Sequence, residues 1–123
     1  IPPSDRALAA LLDDLEVRGL LDETIVVWVG EFGRSPNINK ATGREHHPYC
    51  YSGLLAGGGI QGGAIYGESD KTARYPATNP VSPHDFNATI MHALGVDPHA
   101  TFPDRTGRPR PLYGGNPLET LFG

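Results

Sequence analysis

Cysteine is nearly absent. Cys50 stands alone in 123 residues, so no intrachain disulfide can form, and an oxidising compartment is neither required nor excluded. There is no basic run: ten Lys and Arg are scattered among fourteen Asp and Glu, for a formal net charge of −4 and a pI near 5.6. That balance argues against nucleic acid or an anionic membrane surface as the main partner. No apolar run approaches the roughly 20 residues that span a bilayer. The start, Ile1-Pro2-Pro3-Ser4-Asp5, has no basic segment leading into an apolar one, so these residues are not expected to act as an export signal. The one methionine is Met91, not the first residue. The expectation is therefore a fragment or processed piece of a longer protein, whose address these residues leave open.

Glycine and proline, at 16 and 12, make up nearly a quarter of the chain, without a collagen-like period. A loop-rich chain with a modest core follows. At this length one domain over 1–123 is expected, burying roughly two thirds of its unfolded surface.

The organising stretch is Thr24-Ile25-Val26-Val27-Trp28-Val29-Gly30-Glu31-Phe32-Gly33-Arg34. From Thr24 to Val29 every residue is apolar or β-branched without alternation, the pattern of a central α/β strand buried on both faces. In open α/β sheets, ligands bind outside the carboxyl ends of the strands, which is where Glu31 falls. Gly43-Arg44-Glu45-His46-His47-Pro48 supplies imidazoles that can return to the same edge. The expectation is half of an active site, the other half lying outside this chain.

A helix is expected from Ser4 to Arg18, with Ser4 as N-cap, Gly19 as stop, and Leu8, Leu11, Leu12 and Leu15 as its apolar stripe. Residues 33–49 are rich in turn formers and have no period, and loops of that length are more often functional than idle. Tyr51 to Ala56 reads as a second strand, Ala64 to Gly67 as its hairpin partner, and residues 68–80 as polar loop. A second helix runs from Pro83 to Leu94. Ser82 caps it, Asp85 stands three later, Gly95 ends it, and Phe86, Ile90, Ala93 and Leu94 form the inner stripe. The tail beyond Gly95 closes on Pro117 to Phe122, read as one docking turn. No internal repeat is visible.

Glu31 and His46 are proper ligands for a divalent metal. A carboxylate there can equally pair with Arg34 or Arg44 to fix the loop, and the residues alone leave both roles open. His46 and His47 are adjacent and cannot easily converge on one ion, so one is functional and the other a wall. Cys50 lies four after His46, but the intervening Pro48 breaks a helical pairing, which favours a structural thiol. Gly57-Gly58-Gly59-Ile60-Gln61-Gly62 spells a dinucleotide fingerprint, yet no helix start or acidic residue follows at the required distance. A glycine turn packed against another backbone is the better reading. His84, His92, His99 and Asp104 read as ordinary surface or core residues. Arg105, Arg108 and Arg110 can hold the tail or bind an anion.

Taken in order, Glu31-Phe32-Gly33-Arg34-Ser35-Pro36, Gly43-Arg44-Glu45-His46, the Leu54–Gly63 segment, Tyr66-Gly67, Ala88-Thr89-Ile90, Leu94-Gly95-Val96-Asp97 and the stretch from Asp104 to Pro109 resemble one bacterial family. It is the domain-of-unknown-function 1501 family, related to sulfatases and alkaline phosphatases, and the chain is similar to its carboxy-terminal part. The resemblance implies a partial alkaline phosphatase-like α/β fold, with helices on a small sheet and long loops at one edge. It implies a divalent metal (Zn, Mn or Ca) bound in part by Glu31 and His46, and a sulfate or phosphate ester of a small molecule or saccharide as substrate. Metal would activate the nucleophile, and Arg34 and Arg44 would add charge to the oxyanion. The nucleophile would belong to a missing amino-terminal part of the same protein. Phe32 stands where phosphatases commonly place a ligand His, and His47 where the family more often has an aromatic, which makes His47 a pocket wall. The alternatives are an inactive superfamily member serving as a binding or structural module, and an anion- or glycan-binding module built on the arginine tail.

Overall fold

The structure, a computed structural model, describes residues 2–123. Helix α1 covers Pro2–Val17. It begins earlier than expected, because prolines with φ already fixed and no N–H to satisfy suit a first helical turn. Ser4 therefore lies inside that turn and is not the N-cap. Gly19 ends the helix as expected, at φ 68°: its N–H donates to the Glu16 carbonyl (2.9 Å) and that of Leu20 to the Leu15 carbonyl (2.8 Å), a Schellman pair. Of the apolar stripe, Leu8, Leu12 and Leu15 are half-buried and Leu11 is exposed.

Eight strands are found among the described residues: β1 (Ile25–Val29), β2 (Gly33–Arg34), β3 (His46–His47), β4 (Gly53–Gly57), β5 (Glu68–Ser69), β6 (Pro76–Thr78), β7 (Thr101–Pro103) and β8 (Pro109–Pro111). They form four two-stranded sheets, β1–β4, β2–β3, β5–β6 and β7–β8. The last three are antiparallel. With helix α2 (Pro83–Ala93) the composition is that of a general α/β chain, though the expected single small sheet is replaced by four ladders.

β1 forms where the sequence placed it, but it is not buried on both faces. Val27, Trp28 and Val29 are 38%, 43% and 42% exposed. A two-stranded sheet with β4 covers neither face of a strand that is apolar throughout. Ala64 to Gly67 is not a strand; the hairpin lies further on, in β5–β6, within the stretch expected to be loop.

The chain divides into two compact units, one of Ile1–Val26, Leu55–Gly62 and Ser82–Gly123, the other of Val27–Leu54 and Gly63–Val81. In the first, Ser82 caps α2 as expected: its hydroxyl accepts from the Asp85 N–H (3.1 Å) and donates to the Asp85 carboxylate (2.7 Å). The buried face of α2 centres on Ala88 and Thr89, flanked by half-buried Phe86, Ile90 and Ala93, while Leu94 is 59% exposed. The tail docks there. The Thr89 hydroxyl donates to the Asp85 carbonyl (2.7 Å) and accepts from the Leu118 N–H (3.0 Å), and the Asp85 carboxylate accepts from the Asn116 N–H (2.8 Å). That last bond, with the Ser82 hydroxyl, holds the Asp85 carboxyl below the usual carboxylate range. The docking turn is the 3-10 segment Glu119–Leu121.

The glycine run behaves as a turn against backbone. Gly57 has φ 72°, and a Cβ there would enter the carbonyl oxygens of Thr24 and Leu21, so only glycine allows the approach.

The structure also reveals a repeat that the sequence pattern hides. Between β5 and β6, one Asp70 carboxylate oxygen accepts from the Thr72 N–H (2.8 Å), the Thr72 hydroxyl (2.8 Å) and the Arg74 N–H (3.0 Å). Between β7 and β8, Asp104 accepts from the Thr106 N–H (2.8 Å), the Thr106 hydroxyl (2.7 Å) and the Arg108 N–H (3.0 Å). Asp-x-Thr-x-Arg thus builds the same turn twice. The fourth position is left-handed in both, with Ala73 at φ 54° and Gly107 at φ 80°. These bonds hold both carboxyls down, that of Asp104 to about 2, with the Thr106 hydroxyl the largest contributor; for Asp70 it is the Arg74 N–H.

Candidate functional site

The site-bearing segment lies in the second unit and turns on Gly33, which is buried against the backbone of His47 and Cys50. A Cβ on Gly33 would enter the Cys50 carbonyl oxygen and come within 2.8 Å of the His47 carbonyl oxygen. The absent side chain lets β2 close on β3, pairing Gly33 with His47 and Arg34 with His46. The expected unstructured loop is therefore a pinched hairpin, and its pinch brings the Glu-Phe-Gly-Arg and Glu-His-His segments together.

On the Arg34–His46 rung, the Phe32 ring stacks on the His46 imidazole (centroids 4.2 Å, 48° between planes). The Arg34 guanidinium stands 5.2 Å from the same Phe32 ring centroid, within cation–π range. Phe32 thus supports both neighbours. Arg34 and His46 are exposed, as is Glu31 in the bend between β1 and β2. Neither Glu31 nor Arg34 belongs to an ion pair among the described residues, where the two pairs are Arg18–Asp14 and Arg110–Asp104. Arg44 is used differently: its guanidinium donates to the carbonyls of Ser35 (2.8 Å) and Pro36. Asn39 bonds the Glu45 carboxylate. Arg44 and Asn39 thus hold the loop that connects β2 and β3.

Successive residues of a strand face opposite sides, so His47 points away from the Arg34–His46 face. Its Nε2 donates to the Arg74 carbonyl (2.6 Å), a bond whose acceptor has no proton to give, so Nδ1 of the neutral ring is left as the acceptor. Around it stand Tyr49 (centroids 5.3 Å, 70°) and Tyr75 (5.9 Å, 62°), which also meet each other at 5.7 Å. This aromatic group was not foreseen. The resemblance makes His47 a pocket wall, but nothing in the spacing of Tyr49 and Tyr75 signals that the Asp70 turn brings them together.

The second unit is also the cationic one. It holds five of the ten basic residues but only four of the fourteen acidic ones, for a net +1 against −5 in the first unit. Among the described residues, no group of three or more His, Cys, Asp and Glu side chains is placed to hold a metal ion. Glu31 and His46 are thus at most part of a ligand set. Elsewhere, the His92 ring packs on Phe122 (4.8 Å), and Arg110 is tied to Asp104 (3.2 Å). Cys50 is half-buried and free. No helix among the described residues is long and apolar enough to cross a membrane.

No curated protein and no solved structure matches the chain. Residues 1–122 match the family described as Protein of unknown function (DUF1501). With that match running along virtually its whole length, the chain belongs to the DUF1501 family.

Proposed function

We propose that this chain is the carboxy-terminal part of a sulfatase-like, alkaline phosphatase-related hydrolase that cleaves a sulfate or phosphate ester of a small molecule or saccharide. The observation that carries the reading is the Arg34–Phe32–His46 rung beside Glu31. An exposed guanidinium and an exposed imidazole share one rung of a pinched hairpin and an exposed carboxylate lies in the bend that leads into it, all in the unit of positive net charge, and neither Glu31 nor Arg34 is neutralised by an ion pair. A carboxylate and an imidazole suit Zn, Mn or Ca. Two donors do not fill a coordination sphere, so the remaining ligands and the nucleophile are assigned to an amino-terminal part of the same protein. Bound metal would supply the Lewis acid. In this chain, Phe32 orients His46 and Arg34, Arg34 offers charge to the ester oxygens, and Arg44 fixes the loop through the Ser35 and Pro36 carbonyls.

Arg44's engagement with those carbonyls also fits the second reading, a superfamily member that keeps the loop as a binding or structural module. Metal content of the intact protein, with and without His46→Ala, separates the two. Stoichiometric metal lost in the variant supports the hydrolase, and Arg34→Ala should then lower kcat by about 100-fold or more, as for loss of one oxyanion donor. A folded intact protein with no metal in either form rules out the metal-dependent hydrolase.

A further inference from the structure

We propose that Asn39 is a positioning residue that decides which of two adjacent histidines serves the site. It closes the β2–β3 connection in the register that sets His46, and not His47, beside Phe32 and Arg34. This rests on the ester-hydrolase reading and adds to it a residue that touches no reacting atom.

The β2–β3 ladder has two rungs, Gly33–His47 and Arg34–His46. So short a hairpin does not hold its own register. A slip of one residue turns a strand's side chains to the other face, so Glu45 or His47 would then stand opposite Arg34 in place of His46. Gly33 resists the slip at one end, through its close approach to the His47 and Cys50 carbonyls. Residues 35–45 must resist it at the other, because the connection fixes the register of a hairpin.

Those residues are bonded largely through Asn39. Its N–H donates to the Gly43 carbonyl (2.8 Å), and its carbonyl accepts from the Thr42 N–H (3.0 Å). Its side-chain oxygen accepts from the N–H groups of Ala41 (3.0 Å) and Gly43 (2.9 Å), while its side-chain nitrogen donates to the Glu45 carboxylate. One residue thus closes the turn, holds Thr42 at a left-handed φ of 59°, and grips the neighbour of His46. Glu45 is in turn joined across the ladder, its carbonyl accepting from the N–H of Ser35 (2.8 Å), the neighbour of Arg34. The bonds require an amide. Alanine offers neither acceptor nor donor, and aspartate would set two carboxylates against each other.

The test uses the intact protein, with Zn, Mn and Ca as metals, p-nitrophenyl sulfate and p-nitrophenyl phosphate as substrates, and the nuclear Overhauser contact between the Phe32 and His46 rings as the measure of register. Asn39→Ala and Asn39→Asp should each lose that contact, weaken metal binding and lower kcat at saturating metal, the last two by about 10- to 100-fold, with little change in KM. Asn39→Asp combined with Glu45→Gln restores a donor and an acceptor in reversed order, and should recover the contact and the activity. A merely stabilising role would lower the folded fraction and leave both the ring contact and kcat per folded molecule unchanged. The single and double aspartate variants decide the matter if Asn39→Ala does not fold. Contact, metal and kcat unchanged in the single variants overturn the positioning and leave the ester reading standing, as does a double variant no better than Asn39→Asp. If the contact is lost and regained as expected but the wild type binds no metal and cleaves neither ester, the ester reading falls and the register assignment stands.

Discussion

The His47 imidazole and the Arg74 carbonyl, 27 positions apart, are joined by a 2.6 Å hydrogen bond. It ties the β3 strand to the turn built on Asp70. The neutral ring should be the Nε2–H tautomer, which long-range proton–nitrogen NMR reads directly. His47→Phe keeps the ring but removes the donor. Because water can replace it, the expected cost is about 0.5–1.5 kcal/mol, with faster amide exchange at Asp70. An Nδ1–H tautomer in the wild type would refute the assignment.

Gly33→Ala should be far more damaging than its size suggests. The added methyl meets two backbone carbonyls, neither of which can swing away, so a loss of about 1–3 kcal/mol or more is expected in denaturant unfolding. The Phe32–His46 contact should loosen with it. Unchanged stability would mean that the pinch is not tight.

Asp104 gives a pH signature. Its carboxyl is held at about 2, below the ordinary 3.8. A depressed folded value means that the anchoring is fully present above about pH 4 and is lost as pH falls through about 2. Asp70 and Asp85 act in the same direction. Asp104→Asn should lower Tm at neutral pH and flatten its fall in acid. Parallel Tm–pH curves for variant and wild type would remove Asp104 from the acid limb.

Thr89 is fully buried and its one hydroxyl serves both helix and tail. Thr89→Val keeps the shape but strands the Leu118 N–H, at a cost of about 1–3 kcal/mol, whereas Thr89→Ser keeps the bond and should lose about 1 kcal/mol. If serine proves as costly as valine, packing rather than the hydroxyl holds the tail.

The twin turns predict opposite signs for opposite substitutions. Gly107→Ala places a side chain at φ 80° and should cost about 1–2 kcal/mol. Ala73→Gly relieves the same strain at φ 54°, partly offset by unfolded-chain entropy, for a gain of up to about 1 kcal/mol. Thermal melts of the two variants suffice to check both.

What the sequence discloses follows the range of the forces involved. Both helix stops and the Ser82 cap depend on bonds between residues three to five apart, and all were legible. So were the apolar run of β1 and the glycine turn. The burial of β1 was not, because a strand's neighbours are set by distant segments, and here β4 alone pairs with it. The Glu31, Arg34 and His46 positions stood out by chemistry, yet their pairing register required the closure at Gly33. The Tyr49–Tyr75 contact depends on Asp70 holding a turn whose repeat at Asp104 shares only three spaced residues with it, too few to notice by letter.

The Asp-x-Thr-x-Arg turn has a consequence for engineering. Its second position, Lys71 in one copy and Arg105 in the other, is exposed and takes no part in the bonds that shape the turn. Each hairpin is in effect a cassette with a rigid frame and one open slot. The two should exchange by grafting, and varying the slot in both would diversify two surface tips while leaving the scaffold intact.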